Sequence, residues 1–194
     1  MVSRLSVCPL VLAGGRSRRM GRDKAQLRLA SGQTLLARAE SLLRSLRVPG
    51  LEFLPPLTSG DRPGGIADRV PDRGPLGGLH AVAHFLQERQ VRCDALLVIP
   101  VDMPLLQRAQ LEALCCAGPE SGAGALCFDR FYLPLWLRLD ERCRNYLRAA
   151  VERPETPPVR ALIATLGGCQ LRKPLGDWHQ NVNTMREFSN LTLP

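Results

Sequence analysis

The chain has 194 residues, of which 45% are hydrophobic and 23% are charged, and this predicts one globular domain over residues 1–194 rather than a disordered, collagen-like or low-complexity chain. The 26 Lys and Arg residues outnumber the 18 Asp and Glu residues, which gives a net charge of +8, and every basic residue except Lys24 and Lys173 is an arginine. Aromatic residues are only 5% of the chain and do not alternate with basic runs, so a nucleic-acid-binding surface is not expected.

The first elements are typical of an α/β protein. The apolar run from Leu5 to Leu12 predicts a strand that is buried on both faces. A polar loop over residues 13–24 follows, and the leucine spacing over 34–47 predicts an amphipathic helix. A short strand over 51–54 and a long loop rich in Pro, Gly, Asp and Arg over 55–75 complete this part.

The rest of the chain continues the alternation of helices and strands. Helices are predicted over 76–88, 107–117, 141–151 and 159–166, and strands over 95–101, 124–128, 132–139 and 169–172. Together they predict a Rossmann-like three-layer sandwich, with a mostly parallel mixed sheet and helices on both faces. Because a hairpin turns at Asp129-Arg130, we expect the antiparallel pairing at an edge of the sheet.

The loop after the first strand has the composition of a phosphate site. Residues 12–24 read LAGGRSRRMGRDK, so glycines that let backbone N–H groups approach an anion stand beside five cationic side chains. The loop has neither the G-K-[ST] of a Walker A motif nor the G-x-G-x-x-G of a dinucleotide site. A solvated basic loop is the alternative interpretation. The position of Lys24, one of only two lysines, favours phosphate.

A second candidate ligand site lies at the end of the strand over 95–101, where Asp102 follows an apolar run that predicts a buried strand. Ligands of open α/β sheets bind at the carboxyl ends of strands. A carboxylate held rigidly there suits Mg²⁺ shared with a nucleotide phosphate. The alternative is that Asp102 caps the next helix. A glycine-rich entry into a helix, Asp72-Arg73-Gly74-Pro75-Leu76-Gly77-Gly78, lies between the two loops.

These motifs, taken in order, resemble one enzyme family. The pattern is L-A-G-G-x-S-x-R-M-G-x-D-K after the first strand, G-P-L-x-G before a helix, a strand ending in x-D-x-P, and N-x-N-T at Asn181-Val182-Asn183-Thr184. It is similar to that of the nucleotidyltransferases that build the molybdenum cofactor, above all the guanylyltransferase branch. The resemblance spans Leu12 to Thr184, and its first motif is the most specific.

The resemblance implies a reaction and its partners. The expected reaction transfers GMP from GTP to the terminal phosphate of molybdopterin or its molybdenum form and releases pyrophosphate, with Mg²⁺ as the cofactor. Transient contact with molybdoenzyme apoproteins or their chaperones is implied as well, whereas no nucleic acid and no membrane is expected to bind. Oligomeric state, the acceptor enzymes and the timing of molybdenum insertion are not set by the sequence.

The resemblance also implies roles for individual residues. Nucleotide binding falls to Leu12, Ala13, Gly14, Gly15, Lys24, Asp72 and Asp102. Asp68 is a less favoured substitute for Asp72. Catalysis is expected to use Lys24, Arg19 and Asp102. The acceptor is expected at Asn181 and Asn183, and the metal at Asp102 and Asn183.

Other functions stay open on the sequence. They are a CTP-using sister enzyme, a sugar-phosphate nucleotidyltransferase, and a non-catalytic protein that binds nucleotide or delivers cofactor. Gly14-Gly15 favours the guanylyl branch, because the cytidylyl branch resembles L-A-A-G there. The chain departs from the family in two places: residues 51–56 contain no asparagine, and Tyr132-Leu133-Pro134 stands where a histidine precedes proline.

The remaining chemical side chains predict no further site. Seven cysteines without a C-x-x-C pair predict reduced, mostly buried thiols and a cytoplasmic protein. The first apolar run is too short for a signal peptide or a membrane span. His80, His84 and His179 do not have the spacing of a zinc site. Trp178 is interpreted as a core or lip residue rather than a stacking platform.

Overall fold

The computed structural model describes residues 4–14, 23–189 and 191, and their strands form one seven-stranded sheet. The strands are β1 (Leu5–Leu12), β2 (Leu51–Phe53), β3 (Leu57–Ser59), β4 (Ala95–Pro100), β5 (Ala125–Phe128), β6 (Phe131–Arg138) and β7 (Cys169–Leu171). The helices are α1 (Leu35–Arg44), α2 (Gly74–Glu88), α3 (Arg108–Ser121), α4 (Glu141–Glu152), α5 (Val159–Thr165) and α6 (Met185–Ser189), and a 3₁₀ helix covers Lys24–Gln26.

The sheet is mixed and mostly parallel, as predicted. Its order is β2-β1-β4-β6-β5-β7, and β3 pairs with β1 as well. β2, β3 and β4 run parallel to β1, and β7 runs parallel to β5, whereas β6 is antiparallel to both β4 and β5. The expectation of an antiparallel edge is wrong, because β6 pairs with β4 as well as with β5 and so lies inside the sheet.

Two apolar cores, one on each face of the sheet, make the three layers. Along β4, Leu97 and Ile99 belong to the core under α1 and α3, and Leu96 and Val98 belong to the core under α2, α4 and α5. Side chains alternate between the two faces of a strand, so a run that is apolar throughout is buried on both faces. This is why β1 and β4, which lie next to each other, are the strands that the sequence predicts most clearly.

Three details differ from the sequence prediction. β3 was expected to be loop, because it is only three residues long and directly follows Pro55-Pro56. α2 begins two residues earlier than predicted, at Gly74, and carries Pro75 in its first turn. Proline is tolerated there because backbone N–H groups in the first turn of a helix have no partner within the helix. α3 continues to Ser121 with Pro119 inside it, and it ends at Gly122 in the left-handed conformation (φ 64°).

The cysteines agree with the prediction of mostly buried thiols. All seven cysteines are free thiols, and only Cys116 and Cys169 are exposed. Burial raises the pKa of the Cys143 thiol to about 12, so it stays protonated. Across the described ranges, every helix is too short or too polar to cross a bilayer.

Candidate functional site

A cleft of about 950 Å³ opens where β1, β3 and β4 end and β6 begins. Because β6 is antiparallel to β4, its first residues lie at the same edge as the carboxyl ends of the parallel strands. One part of the lining comes from Leu12, Ala13, Gly14, Lys24, Asp68 and Asp102, and another from Arg130, Phe131, Tyr132, His179, Asn181 and Asn183. The cleft therefore collects residues from all four sequence motifs, including the described part of the first.

Three side chains that are far apart in the sequence meet in this cleft. The Lys24 ammonium lies 3.1 Å from the Asp102 Oδ2 atom and donates a hydrogen bond of 2.9 Å to the Asn183 amide oxygen. The side chains of Lys24 and Asp102 are 18% and 20% exposed. Water screens the attraction between two partly buried charges less than it screens a surface ion pair. We call these three residues the charge cluster.

Lys24 is held by the capping of its own short helix. Asp23 precedes the 3₁₀ helix, and its carboxylate accepts a hydrogen bond of 3.1 Å from the Ala25 N–H. The Arg62 guanidinium lies 3.2 Å from the same carboxylate and also donates to the Ala13 carbonyl. Asp23 and Arg62 thus connect the lysine to the end of β1. Arg62 was not among the predicted residues, because it lies in a segment whose sequence indicates only a loop.

Asp102 and Asn183 are fixed to each other through the backbone. The Val182 N–H donates to the Asp102 carbonyl over 2.8 Å, and the Val182 side chain is buried. Asp102 does not cap α3, since Gln107 occupies that position and its side chain makes reciprocal bonds with Gln110. The interpretation of Asp102 as a simple helix cap is therefore wrong. Its carboxylate is directed to the cleft.

A capping box holds the other side of Asn183. Glu187 accepts hydrogen bonds from the backbone N–H groups of Asn183 and Thr184, at 2.6 and 3.1 Å, and its own N–H donates to the Thr184 hydroxyl. The backbone of Asn183 therefore has a fixed acceptor on the α6 side. Its side chain remains directed at Lys24.

The end of β1 provides backbone groups on the other side of the cleft. The Leu12 carbonyl accepts from the Val101 N–H, and the Ala13 N–H donates to the Ser59 carbonyl. Gly60 has a φ of 129°, and a Cβ there would lie 3.0 Å from the Gly14 nitrogen, so only glycine allows this approach. Within residues 4–14, 23–189 and 191, the backbone groups of Gly14 make no hydrogen bond, and Gly14 lines the cleft.

The structure distinguishes the two candidate carboxylates of this half of the cleft. Asp68 is half-buried and lines the cleft, and its Oδ1 atom is buried with no hydrogen-bond partner in the described chain. Burial raises the pKa of Asp68 above its usual range. Asp72 is exposed, has a φ of 59°, and is not among the described residues that line the cleft. The structure therefore places Asp68 in the cleft rather than Asp72, which the sequence favours.

Some predicted residues lie outside the described part of the chain. They are Gly15 and Arg19, together with the neighbouring cations Arg16, Arg18 and Arg22. Their predicted contacts with the triphosphate stay predictions. Asn181 lines the cleft, and its predicted role toward an acceptor stays a prediction as well.

Aromatic residues that the sequence does not predict for the site form one side of the cleft. Phe131 and Tyr132 follow the β5–β6 turn, and His179 precedes Asn181. The rings of Phe131 and His179 lie beside one another although the two residues are distant in the sequence, and their centroids are 4.6 Å apart. Of these aromatic residues, Phe131 alone has a sequence signal that points to the cleft, because it stands beside the turn at the end of β5.

The donor set of the charge cluster fits Mg²⁺ that is shared with a ligand. In the described ranges, no three His, Cys, Asp or Glu side chains group as they would for a metal held by protein alone. The Asp102 carboxylate and the Asn183 amide already direct two oxygens at one cation, the Lys24 ammonium. One or two protein oxygens completed by phosphate and water is the usual arrangement for Mg²⁺.

Comparison with known proteins adds the following similarities. The family model described as MobA-like NTP transferase domain matches residues 9–169. A molybdenum cofactor guanylyltransferase of Xanthomonas euvesicatoria is 42% identical over 140 residues, which is 71% of this chain and 67% of that protein. Another of Sinorhizobium fredii is 31% identical over 205 residues, covering 93% of this chain and 88% of its own length.

Similarity in three dimensions extends over the whole sheet. The crystal structure of molybdopterin-guanine dinucleotide biosynthesis protein A from Archaeoglobus fulgidus superposes with a TM-score of 0.61. The alignment covers 95% of both chains at 21% sequence identity. At this identity the similarity establishes a common fold, and the fold agrees with the three-layer α/β architecture predicted from the sequence.

Proposed function

Because the chain belongs to the MobA-like NTP transferase family, we propose that it transfers GMP from GTP to the terminal phosphate of molybdopterin or its molybdenum form. Its role is nucleotidyl transfer in the biosynthesis of the guanine dinucleotide cofactor. The observation that carries the proposal at the level of chemistry is the charge cluster, where Lys24, Asp102 and Asn183 meet in the cleft. CTP is not favoured, since these relatives carry the name of guanylyltransferases.

The reaction needs no general base in this site. The attacking phosphate of the acceptor has a second pKa near ~6 and is mostly dianionic at neutral pH. One of its oxygens forms a bond to the α-phosphorus of GTP, and the bond from that phosphorus to the bridging oxygen of the β-phosphate breaks, so pyrophosphate leaves. What the protein must supply is the positioning of two anions and the stabilisation of the charge that develops between them.

The charge cluster has the composition for this task. Lys24 brings a positive charge to the position where the two substrates approach each other, and Asp23 and Arg62 hold it there. Asp102 and Asn183 would hold Mg²⁺, which when bound neutralises phosphate charge and polarises the phosphorus centre. The Gly14 backbone and Asp68 line the cleft and would contact the nucleotide, and Asn181 lines it too and would contact the acceptor. Arg19 is proposed to contact the triphosphate on the basis of the sequence motif alone.

Compartment and partners follow from the same proposal. Seven free thiols suit a reducing compartment, so we place the protein in the cytoplasm. Its product is a cofactor that molybdoenzymes consume, so transient contact with such apoproteins or their chaperones is part of the proposal. The net charge of +8 favours encounter with its highly anionic substrates.

The proposal is tested with Lys24→Ala and Asp102→Ala, assayed with GTP, molybdopterin and Mg²⁺. Removing one preorganised charge costs about 10²–10³ in rate, so each variant should lose at least that much turnover. Asp61→Ala, which removes an exposed carboxylate outside the lining of the cleft, is the matched control and should keep wild-type turnover. Wild-type turnover by either cluster variant would overturn the assignment, and a preference for CTP would overturn the choice of base.

A further inference from the structure

Two aromatic rings form one side of the cleft, and we call Phe131 and His179 the aromatic wall. Their centroids are 4.6 Å apart and their planes are inclined by 53°. Both residues are partly exposed and line the cleft. The Nδ1 atom of His179 is buried and has no hydrogen-bond partner among the described residues. No described contact of that atom therefore explains why a histidine stands here.

The aromatic wall is supported from behind. The buried Trp178 ring lies 6.2 Å from Phe131 and 5.7 Å from His179, both in edge-to-face arrangements. The Trp178 indole N–H donates to the Pro174 carbonyl, which fixes its orientation. The rings are therefore packed in place before any ligand arrives, which lowers the cost of binding.

Lys173, the second lysine of the chain, joins this support. Its ammonium lies 5.9 Å from the ring centroids of both Phe131 and Trp178, within the range of cation–π attraction. Its backbone N–H donates to the Asp129 carboxylate over 3.0 Å, so the β5–β6 turn is tied to the segment after β7. Lys173 thus holds together the two segments that carry the wall.

The wall and the charge cluster lie on one continuous segment. His179 precedes Asn183 by four residues, a stretch that spans at most about 14 Å even when fully extended. Val182, within that stretch, is bonded to the Asp102 carbonyl. A ligand with a planar ring at one end and a phosphate a few bonds away can therefore contact the wall and reach Lys24 at the same time.

We propose that the aromatic wall is the stacking site for the planar heterocycle of the acceptor, a bicyclic pterin. The inference rests on the proposed function for the identity of the acceptor, and it assigns Phe131 and His179 as the residues that bind its ring. We expect the nucleotide base near Gly14 and Asp68, which line the same cleft. Phe131 and His179 therefore determine acceptor affinity and leave GTP affinity unchanged.

The test measures ring binding without turnover, using 6-hydroxymethylpterin as a fluorescent probe. Stacking on an aromatic side chain is worth roughly 5- to 100-fold in affinity on truncation to alanine. Phe131→Ala and His179→Ala should each lose this much pterin affinity, while their GTP affinity by calorimetry stays within about 2-fold of the wild type. His179→Phe, which keeps a ring, should retain most of the binding.

Phe85→Ala is the matched control. Phe85 is also half-buried and has a cationic neighbour, Arg89, 5.4 Å from its ring, but it lies on α2 outside the cleft lining. Its substitution should leave pterin affinity unchanged. Circular dichroism of each variant establishes that it is folded.

Three outcomes would overturn the inference: no pterin binding by the wild-type protein, unchanged pterin affinity in folded Phe131→Ala and His179→Ala, or a loss of GTP affinity in place of pterin affinity. Failure of the proposed function looks different, because GTP then fails to bind or molybdopterin fails to react in the wild-type protein itself.

Discussion

At the scale of single residues, the position of Asp68 gives a measurable balance between stability and binding. Its buried Oδ1 atom has no partner in the described chain, and a Cβ on Gly77 would lie 2.8 Å from its other carboxylate oxygen. Glycine at position 77 therefore makes room for the Asp68 carboxylate, although the described chain gives its buried Oδ1 atom no hydrogen bond. Such a group destabilises the folded protein unless a ligand donates to it.

We expect Asp68→Asn to stabilise the protein and weaken GTP binding. The gain should be on the order of 0.5–1 kcal/mol, about 1–4 °C in Tm, and GTP affinity should fall roughly 10-fold. Because burial raises the pKa of Asp68 in the folded state, the ionised carboxylate opposes folding at neutral pH, and this penalty disappears as the pH falls below its ordinary value of 3.8. The Tm difference measured by calorimetry should therefore be largest near pH 7 and shrink toward pH 3.

Asp72→Asn is the informative comparison, since the sequence favours Asp72 for the same role. Asp72 is exposed, so we expect a smaller change in both Tm and GTP affinity. If Asp72→Asn weakens GTP binding and Asp68→Asn does not, Asp72 is the residue that contacts the nucleotide, as the sequence predicts.

At the scale of elements, the short helix α6 acts on the site through its first turn. Glu187 accepts the N–H of Asn183, and Asn183 in turn contacts Lys24. Glu187→Ala removes that acceptor, so the Asn183 side chain is held less tightly. Residues that orient a metal ligand typically contribute 10- to 100-fold, and we expect roughly a 10-fold loss of kcat.

The matched comparisons for this element are Glu187→Gln and Glu141→Ala. The glutamine amide oxygen can still accept the Asn183 N–H, so most of the activity should return. Glu141 is an exposed glutamate in the first turn of α4, and its removal should not affect kcat. Equal losses in Glu187→Ala and Glu141→Ala would show that α6 has no specific role.

The same scale explains what the sequence predicts well and what it does not. β1 and β4 are unmistakable because they are apolar on both faces, and Lys24 and Asp102 are found because each directly follows or ends a motif. The order of β6 in the sheet depends on pairing between distant segments, which periodicity does not encode. The aromatic wall is not predicted for the same reason, since Phe131 and His179 are far apart in the sequence and meet only in the folded chain.

At the scale of the whole molecule, part of the positive charge serves the fold. Arg38, Arg73 and Arg144 donate to backbone carbonyls at 2.6, 2.8 and 2.8 Å, on three different parts of the surface. The guanidinium group of such an arginine is occupied by a carbonyl of its own chain rather than by a polyanion. The excess of arginine therefore says less about partners than its size suggests.

We expect GTP together with Mg²⁺ to stabilise the whole protein against heat. A ligand at about 100 times its Kd adds roughly 2.7 kcal/mol, which corresponds to about 5–10 °C in Tm for a chain of this size. Differential scanning fluorimetry should detect this shift with GTP, and a smaller one with CTP or when EDTA removes the metal. Lys24→Ala and Asp102→Ala should abolish most of the shift. An equal shift with all four nucleotides would contradict a guanine-specific site.

The bond between Val182 and Asp102 also has a consequence for synthesis on the ribosome. All seven strands are complete once residue 171 has emerged, whereas the charge cluster requires Asn183. The strands that support the charge cluster are therefore made before the segment that completes it.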